Sequence, residues 1–195
     1  MNNLGVIFSN NLDWKAQINS QVRKIYGVLK QLSLTTKNLS SGTKTKLFKS
    51  LLYPHFIYGD FVYLNATEDA KNKLRVAINS CVRYVFNISR YDSVSHLQKI
   101  LLGCSFEQFY DFRSCCHIYR ISSSRKSTYL FSKLLPCRNT RTSSFVIPAH
   151  SASYYNHSLF VRGIINWNRL SMNVKSKINL SSFKRELLLE LNVVH

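Results

Sequence analysis

The chain has 195 residues, 45% hydrophobic and 13% aromatic against 18% charged, a composition that sustains one compact unit or two small helical subdomains and excludes a disordered tail. Its formal charge of +18 selects a polyanionic partner, because each phosphate neutralised by Lys or Arg releases counterions. No apolar run reaches the ~18 residues that would span a bilayer, no leader-like N-terminal pattern is present, and five irregularly spaced cysteines do not read as a secreted disulfide framework, so the expected location is cytoplasm or nucleus, not secreted, with no membrane partner.

Leu4 to Phe8 reads as a short strand ended by a Ser-Asn-Asn turn. Trp14, Ile18, Val22, Ile25, Leu29 and Leu32 then recur at helical spacing, with Lys15, Arg23, Lys24 and Lys30 on the other faces; one side can pack while another meets phosphate. Ser40, Ser41 and Gly42 open a second helix, in which Leu47, Phe48, Leu51 and Leu52 precede Pro54, where the backbone must kink or stop. Asn65 and Glu68 stand at capping-box spacing before the stripe Ala70, Leu74, Ile78, Cys81, Val82 and Val85. A shorter helix spans Val94 to Leu102 and stops at Gly103. Ser105 and Gln108 repeat the capping device before Phe109, Phe112, Cys116 and Tyr119. Thr128 to Leu135 is a further short helix ended by Pro136. Cys137 to His157 reads as an extended loop with a strand at Phe145 to Ile147, and helical spacing returns at Leu159 to Leu170 and Ser182 to Asn192. The expected class is therefore mostly α: a helical bundle with a short N-terminal strand, followed by a loop-plus-helix C-terminal segment.

Charge is unevenly spread. Met1 to Lys49 holds eight basic residues and one acid, Ser50 to Asp111 holds six of each, and Phe112 to the end holds thirteen basic residues against Glu186 and Glu190. Two basic blocks thus flank a neutral middle, and no acid occurs from Phe112 through Arg185.

Particular residues carry a resemblance. Leu4-Gly5-Val6 followed by Leu12, Trp14 and Ile18, the Leu51, Pro54, Tyr58 and Gly59 series, and Leu74, Asn79 and Arg83 recur in order. Thr140-Arg141, Phe145, Pro148, Tyr154-Tyr155, Ser158, Phe160, Arg162-Gly163, Trp167-Asn168, Leu170 and Ser182-Phe183-Lys184 follow. The set resembles the segment after the palm in reverse transcriptases of non-LTR (LINE-type) retrotransposons of the jockey and chicken-repeat-one type. It covers Leu4 to Asn192. Departures are Asn79, where the family more often has Gln, and Arg169 and Ser171, where it usually has Ser and Pro, which leaves the helix end after Leu170 less sharply defined. The resemblance implies a thumb-like bundle and division into 1–64 (palm-exit strand and thumb-like helices), 65–136 (helical connector) and 137–195 (basic, loop-rich C-terminal segment). It also implies a truncated element copy or partial gene model of an RNA-directed DNA polymerase that lacks the catalytic part.

Two-metal nucleotidyl transfer needs converging carboxylates, and the chain has no Asp-Asp pair. Glu68-Asp69, the only adjacent acids, sit at an expected helix start, where they complement the dipole. Cys104 with Cys115-Cys116-His117 raises a zinc reading, but adjacent cysteines on a helix diverge by ~100° and lack the usual ligand spacing; core packing is the competing reading. No catalytic residue, metal or cofactor is expected. What remains is gripping: RNA and/or DNA, as template-primer, held by Lys15, Arg23, Lys24, Lys30, Lys44, Lys46, Arg141, Arg162 and Arg169. Tyr154, Tyr155 and Trp167 are candidates to stack on bases, with Trp167 as core the alternative. The competing functional reading is a structural or protein-interaction remnant of the same element. An unpartnered strand at Leu4 to Phe8 would also promote self-association.

Overall fold

A computed structural model of the chain describes residues 2–10, 13–61, 66–124, 128–137, 143–149, 155–156 and 158–193. The fold is mostly helical, as its periodicity demands. The chain divides into two compact units, Met1–Gly103 and Cys104–His195. The stretch expected as one connector, 65–136, is therefore shared between them.

The first unit opens with β1 (Asn2–Asn3) paired antiparallel to β2 (Val6–Ile7), Asn3 opposite Val6. The expected strand Leu4 to Phe8 is thus shorter than its apolar run. Leu4 and Gly5 form the turn, with φ of 48° and 78°; positive φ at both central residues is the type I′ requirement, whose twist matches that of the flanking strands. Tyr58 fastens the turn by donating its hydroxyl to the Leu4 carbonyl. On its other edge the Ile7 N–H donates to Gln17 Oε1 at 2.9 Å. The expectation of an unpaired strand is corrected: Asn2–Asn3 pairs with Val6–Ile7, and the buried Gln17 takes the Ile7 N–H.

Helix α1 (Lys15–Thr35) buries Gln17, Ile18, Gln21, Ile25, Leu29 and Leu32. Its start is unusual: Trp14 is left-handed (φ 59°), and Asp13 Oδ1 accepts from the Lys15 N–H at 3.1 Å. α1 packs on α4 (Glu68–Phe86), whose buried stripe is Ala70, Leu74, Ala77, Ile78, Cys81, Val82 and Val85. Lys73 donates to Asn19 (3.2 Å), Tyr26 hydroxyl meets Ser80 hydroxyl (3.4 Å), and the Thr36 and Tyr84 hydroxyls are bonded. The partners ascend together along both helices, so the pair is parallel.

Between them run α2 (Ser41–Leu47), a π turn (Phe48–Leu52) and α3 (Tyr53–Ile57) as one helical rod. Pro54 does not end the helix as its chemistry could. It lacks an N–H and crowds the preceding turn; the π turn immediately before it widens the ladder and lets the rod continue. The widened turn turns Leu51 outward, 45% exposed, while Phe48, Leu52 and Phe56 are buried. α4 is capped by Thr67, whose side chain accepts from the Ala70 N–H; the expected cap Asn65 lies outside the described residues. Glu68 and Asp69 occupy the first turn and pair with Lys71 (2.9 Å) and Lys73 (3.9 Å). α5 (Ser95–Leu102) ends at Gly103, left-handed with φ 86°.

The second unit is built on α6 (Phe106–Ser124), α7 (Thr128–Ser132), α8 (Leu159–Arg169), α9 (Met172–Lys175) and α10 (Leu180–Val193). The Ser105–Gln108 capping box forms reciprocally: Gln108 N–H to Ser105 Oγ at 3.2 Å and Ser105 N–H to Gln108 Oε1 at 3.0 Å. Gln108 Nε2 also donates to the Leu191 carbonyl at 2.7 Å, fastening the end of α10. α8 runs antiparallel to α6 and approaches closely at Gly163, where a Cβ would meet Ile118 Cγ1 at 3.2 Å. A pile of rings forms the centre: Tyr119 stacks on Phe183 (4.3 Å), Phe183 on Trp167 (5.8 Å), and Phe145 lies 5.9 Å from Trp167. The expected strand at Phe145 to Ile147 is a single bridge, Pro136 to Phe145. Its side-chain support comes from Asn168, which accepts from the Phe145 N–H (2.9 Å) and donates to the Phe145 carbonyl (2.8 Å). α8 ends sharply at Leu170, and Ser171 caps α9 while both its N–H and hydroxyl donate to Glu190.

The ring pile and the Asn168 clamp generate a stability prediction. Phe183→Ala should cost about 3–5 kcal/mol by removing the middle ring, and Asn168→Ala about 1–3 kcal/mol by stranding two backbone groups of Phe145. Hydrogen exchange on the whole chain checks both, with protection falling in residues 104–193.

Candidate nucleic-acid interface

α1 segregates its chemistry by face. Ile18, Ile25, Leu29, Leu32 and the two glutamines are buried, and Lys15, Arg23, Lys24 and Lys30 are exposed. Arg23 and Lys30 are seven residues apart, hence on nearly one line with about 10.5 Å of axial rise between them. Lys24 stands a step around the helix, near α3: burial, and then the Lys24 charge, hold His55 below its ordinary titration range. Lys46 on α2 and Lys49 in the π turn are exposed as well. Lys15, Arg23, Lys24, Lys30 and Lys46 make no ion pair among the described residues. By contrast, three cations of the neutral middle are engaged, Lys71 and Lys73 with carboxylates and Arg75 with Asn72 Oδ1 at 3.2 Å.

Lys44 is a correction. It is buried, 3% exposed, and its ammonium donates to the Lys37 carbonyl and to Asn87 Oδ1, both at 3.3 Å, while lying 5.3 Å above the Tyr84 ring. Asn87 is the left-handed C-cap of α4. The lysine therefore ties the turn after α1 to the end of α4, and it cannot meet phosphate.

The cations expected in the second unit are spread among different jobs. Arg162 Nε donates to Asp111 Oδ1 at 2.8 Å, and Asn166 Nδ2 donates to the same oxygen at 2.8 Å. Arg169 is exposed and lines a cleft of about 260 Å³ beside Asp111, Asn166 and Glu190; two carboxylates there disfavour an anionic ligand. Arg141 and Tyr154 lie outside the described residues. Tyr155 is 45% exposed, whereas Trp167 is 3% exposed and donates its indole N–H to the Ser143 carbonyl at 2.7 Å. Trp167 is core, and stacking on bases by it is ruled out.

Four of the five thiols, Cys81, Cys104, Cys115 and Cys116, are packed rather than poised. Burial pushes Cys81 and Cys104 up to about 12 and Cys116 to about 11, and it drives Cys115 higher still. Thiolates, which attack and bind metals, are scarce under those conditions. Among the described residues no three His, Cys, Asp or Glu side chains gather where a metal could sit, and no helix is long and apolar enough to cross a membrane. The residues that sequence reasoning missed are Gln17 and Gln21, whose i, i+4 placement on the apolar side was the available signal.

The two lysines of α2 make opposite predictions. Lys44→Met should destabilise the first unit by about 1–3 kcal/mol by stranding its acceptors, and Lys46→Gln should stay within about 0.5 kcal/mol of the parent; denaturant titration of each variant measures the difference. No family model, curated protein or solved structure matches the chain.

Proposed function

We propose that the chain is a non-catalytic nucleic-acid-binding piece of a non-LTR retrotransposon reverse transcriptase, whose first unit grips the backbone of a template-primer. The observation that carries this reading is the face of α1 on which Arg23 and Lys30 align opposite the buried stripe; Lys15 and Lys24 flank it on either side and Lys46 stands on α2, all exposed and none ion-paired among the described residues. Arg23 and Lys30 in line, with no carboxylate paired to them among the described residues, suit phosphates along a duplex and would read charge and spacing rather than bases. The parentage rests on the ordered motifs of the sequence. Several of those motifs carry packing contacts in the second unit: Arg162 on Asp111, Gly163 against Ile118, and Trp167 and Asn168 on the 143–145 segment.

If those five cations meet phosphates, log affinity for a duplex should fall with log salt at a slope of roughly −4 to −5. Replacing Arg23, Lys24 and Lys30 together with Gln should flatten the slope by roughly 2 to 3 and weaken binding equally across unrelated sequences. The same replacement at Lys71, Lys73 and Arg75 should do less, although three formal charges are lost in each case. Equal losses from the two variants contradict the assignment. Because no Asp-Asp pair is present, the purified chain should show no templated nucleotide incorporation with magnesium or manganese; incorporation above a mock preparation would overturn the non-catalytic reading.

A further inference from the structure

The second unit carries a groove that the grip does not use. It has a volume of about 610 Å³, within the range of ~300–1,000 Å³ usual for ligand clefts. Its walls are α7, the short backbone pair in which the Cys137 N–H donates to Ser144 and the Val146 N–H to Leu135 (3.0 and 2.7 Å), and Tyr155. The apolar lining is left in water: Tyr129 is 70% exposed, Leu135 58%, Tyr155 45%, Val146 45% and Ile147 43%. Contiguous exposure of this kind marks a binding surface more often than an accident of folding.

Charge decides among occupants. No acid lines the groove, and none exists in the chain from Phe112 through Arg185. Among the described residues the cation in the lining is Lys133, which stands 5.1 Å from the centre of the Tyr129 ring. A ligand that suits the groove is flat and apolar in one part and anionic in another. An apolar peptide would leave the charge unanswered, and a duplex hides its base faces.

We propose that this groove binds unpaired nucleotides of a single strand, with bases stacked on Tyr129 and Tyr155 and the adjoining phosphate at Lys133. Aromatic stacking of this kind is sequence-tolerant, since every base has a π face. The site goes beyond the grip on α1, lies in the other unit and uses bases rather than the backbone alone, so either assignment can fail without the other.

The test uses the full chain and three probes: an oligothymidylate of about 12 nucleotides, an abasic strand of the same length, and a duplex. Tyr129→Ala with Tyr155→Ala should weaken binding of the oligothymidylate about tenfold or more, with the abasic strand and the duplex within about twofold of the parent. Thermal melting of both pairs is read beside binding, so that a loss of fold is told from a loss of the rings; the Phe pair, which keeps the rings, should retain both the melting temperature and the affinity. A 2-aminopurine in the strand should lose its quenching in the Ala pair and keep it in the Phe pair. Loss of affinity equal for abasic and base-bearing strands, or no loss at all, overturns the groove while leaving the α1 grip to its own salt-slope test. Overturning also follows if the Ala pair abolishes self-association of the chain in sedimentation and leaves strand binding intact, because the occupant would then be a second copy.

Discussion

Twenty-seven Lys and Arg side chains share nine carboxylates, and this shortage of anions shapes the molecule more than any single contact. A chain so charged has few ion pairs with which to knit its helices together, Arg162 of α8 with Asp111 of α6 being one. It closes them with neutral polar groups instead: Ser40, Thr67, Ser158 and Ser171 cap helices through their hydroxyls, Gln108 joins α6 to α10, Asn168 holds the 145 backbone, and Gln17 completes the small hairpin. Carboxylates appear where they serve a structural end, as Asp111 does for Arg162 and Asn166 and Glu190 does for Ser171.

What the acids do not reach is left as a field. The exposed cations of α1 and α2 repel one another, and that repulsion opposes the compact state; under the proposed function a polyanion would relieve it. Folding and binding are linked through this term: a partner that binds only the folded chain adds stability in proportion to its concentration over Kd. The buried Lys44 marks the boundary of the argument, because its ammonium is spent on carbonyl and amide oxygens and a ring, and charge at a sequence position is therefore not charge at a surface.

Much of the architecture is legible in the residues. The stripe from Trp14 to Leu32, the Glu68-Asp69 first turn, the Ser105–Gln108 box and the Gly103 stop all formed where spacing and chemistry place them, because each is decided within a few residues. Failures came where a distant partner decides. Lys44 is indistinguishable from Lys46 until Asn87 and Tyr84 are brought beside it; Pro54 spares its helix only through the π turn before it; the Leu4 to Phe8 strand is cut short by a left-handed Leu4 that apolarity alone does not foretell. For Trp167 the sequence left stacking and core open, and its place in the core, among Phe183, Phe145 and the Ser143 carbonyl, is settled by tertiary packing.

Acylation of lysines in the intact chain, read residue by residue with and without a bound duplex, addresses the α1 face most directly. The account predicts that Lys15, Lys24, Lys30 and Lys46 react freely alone and are protected by the duplex, that Lys44 reacts slowly in both states because it is buried, and that Lys71 and Lys73 change little. Protection spread evenly over all exposed lysines, or confined to Lys71 and Lys73, would contradict it.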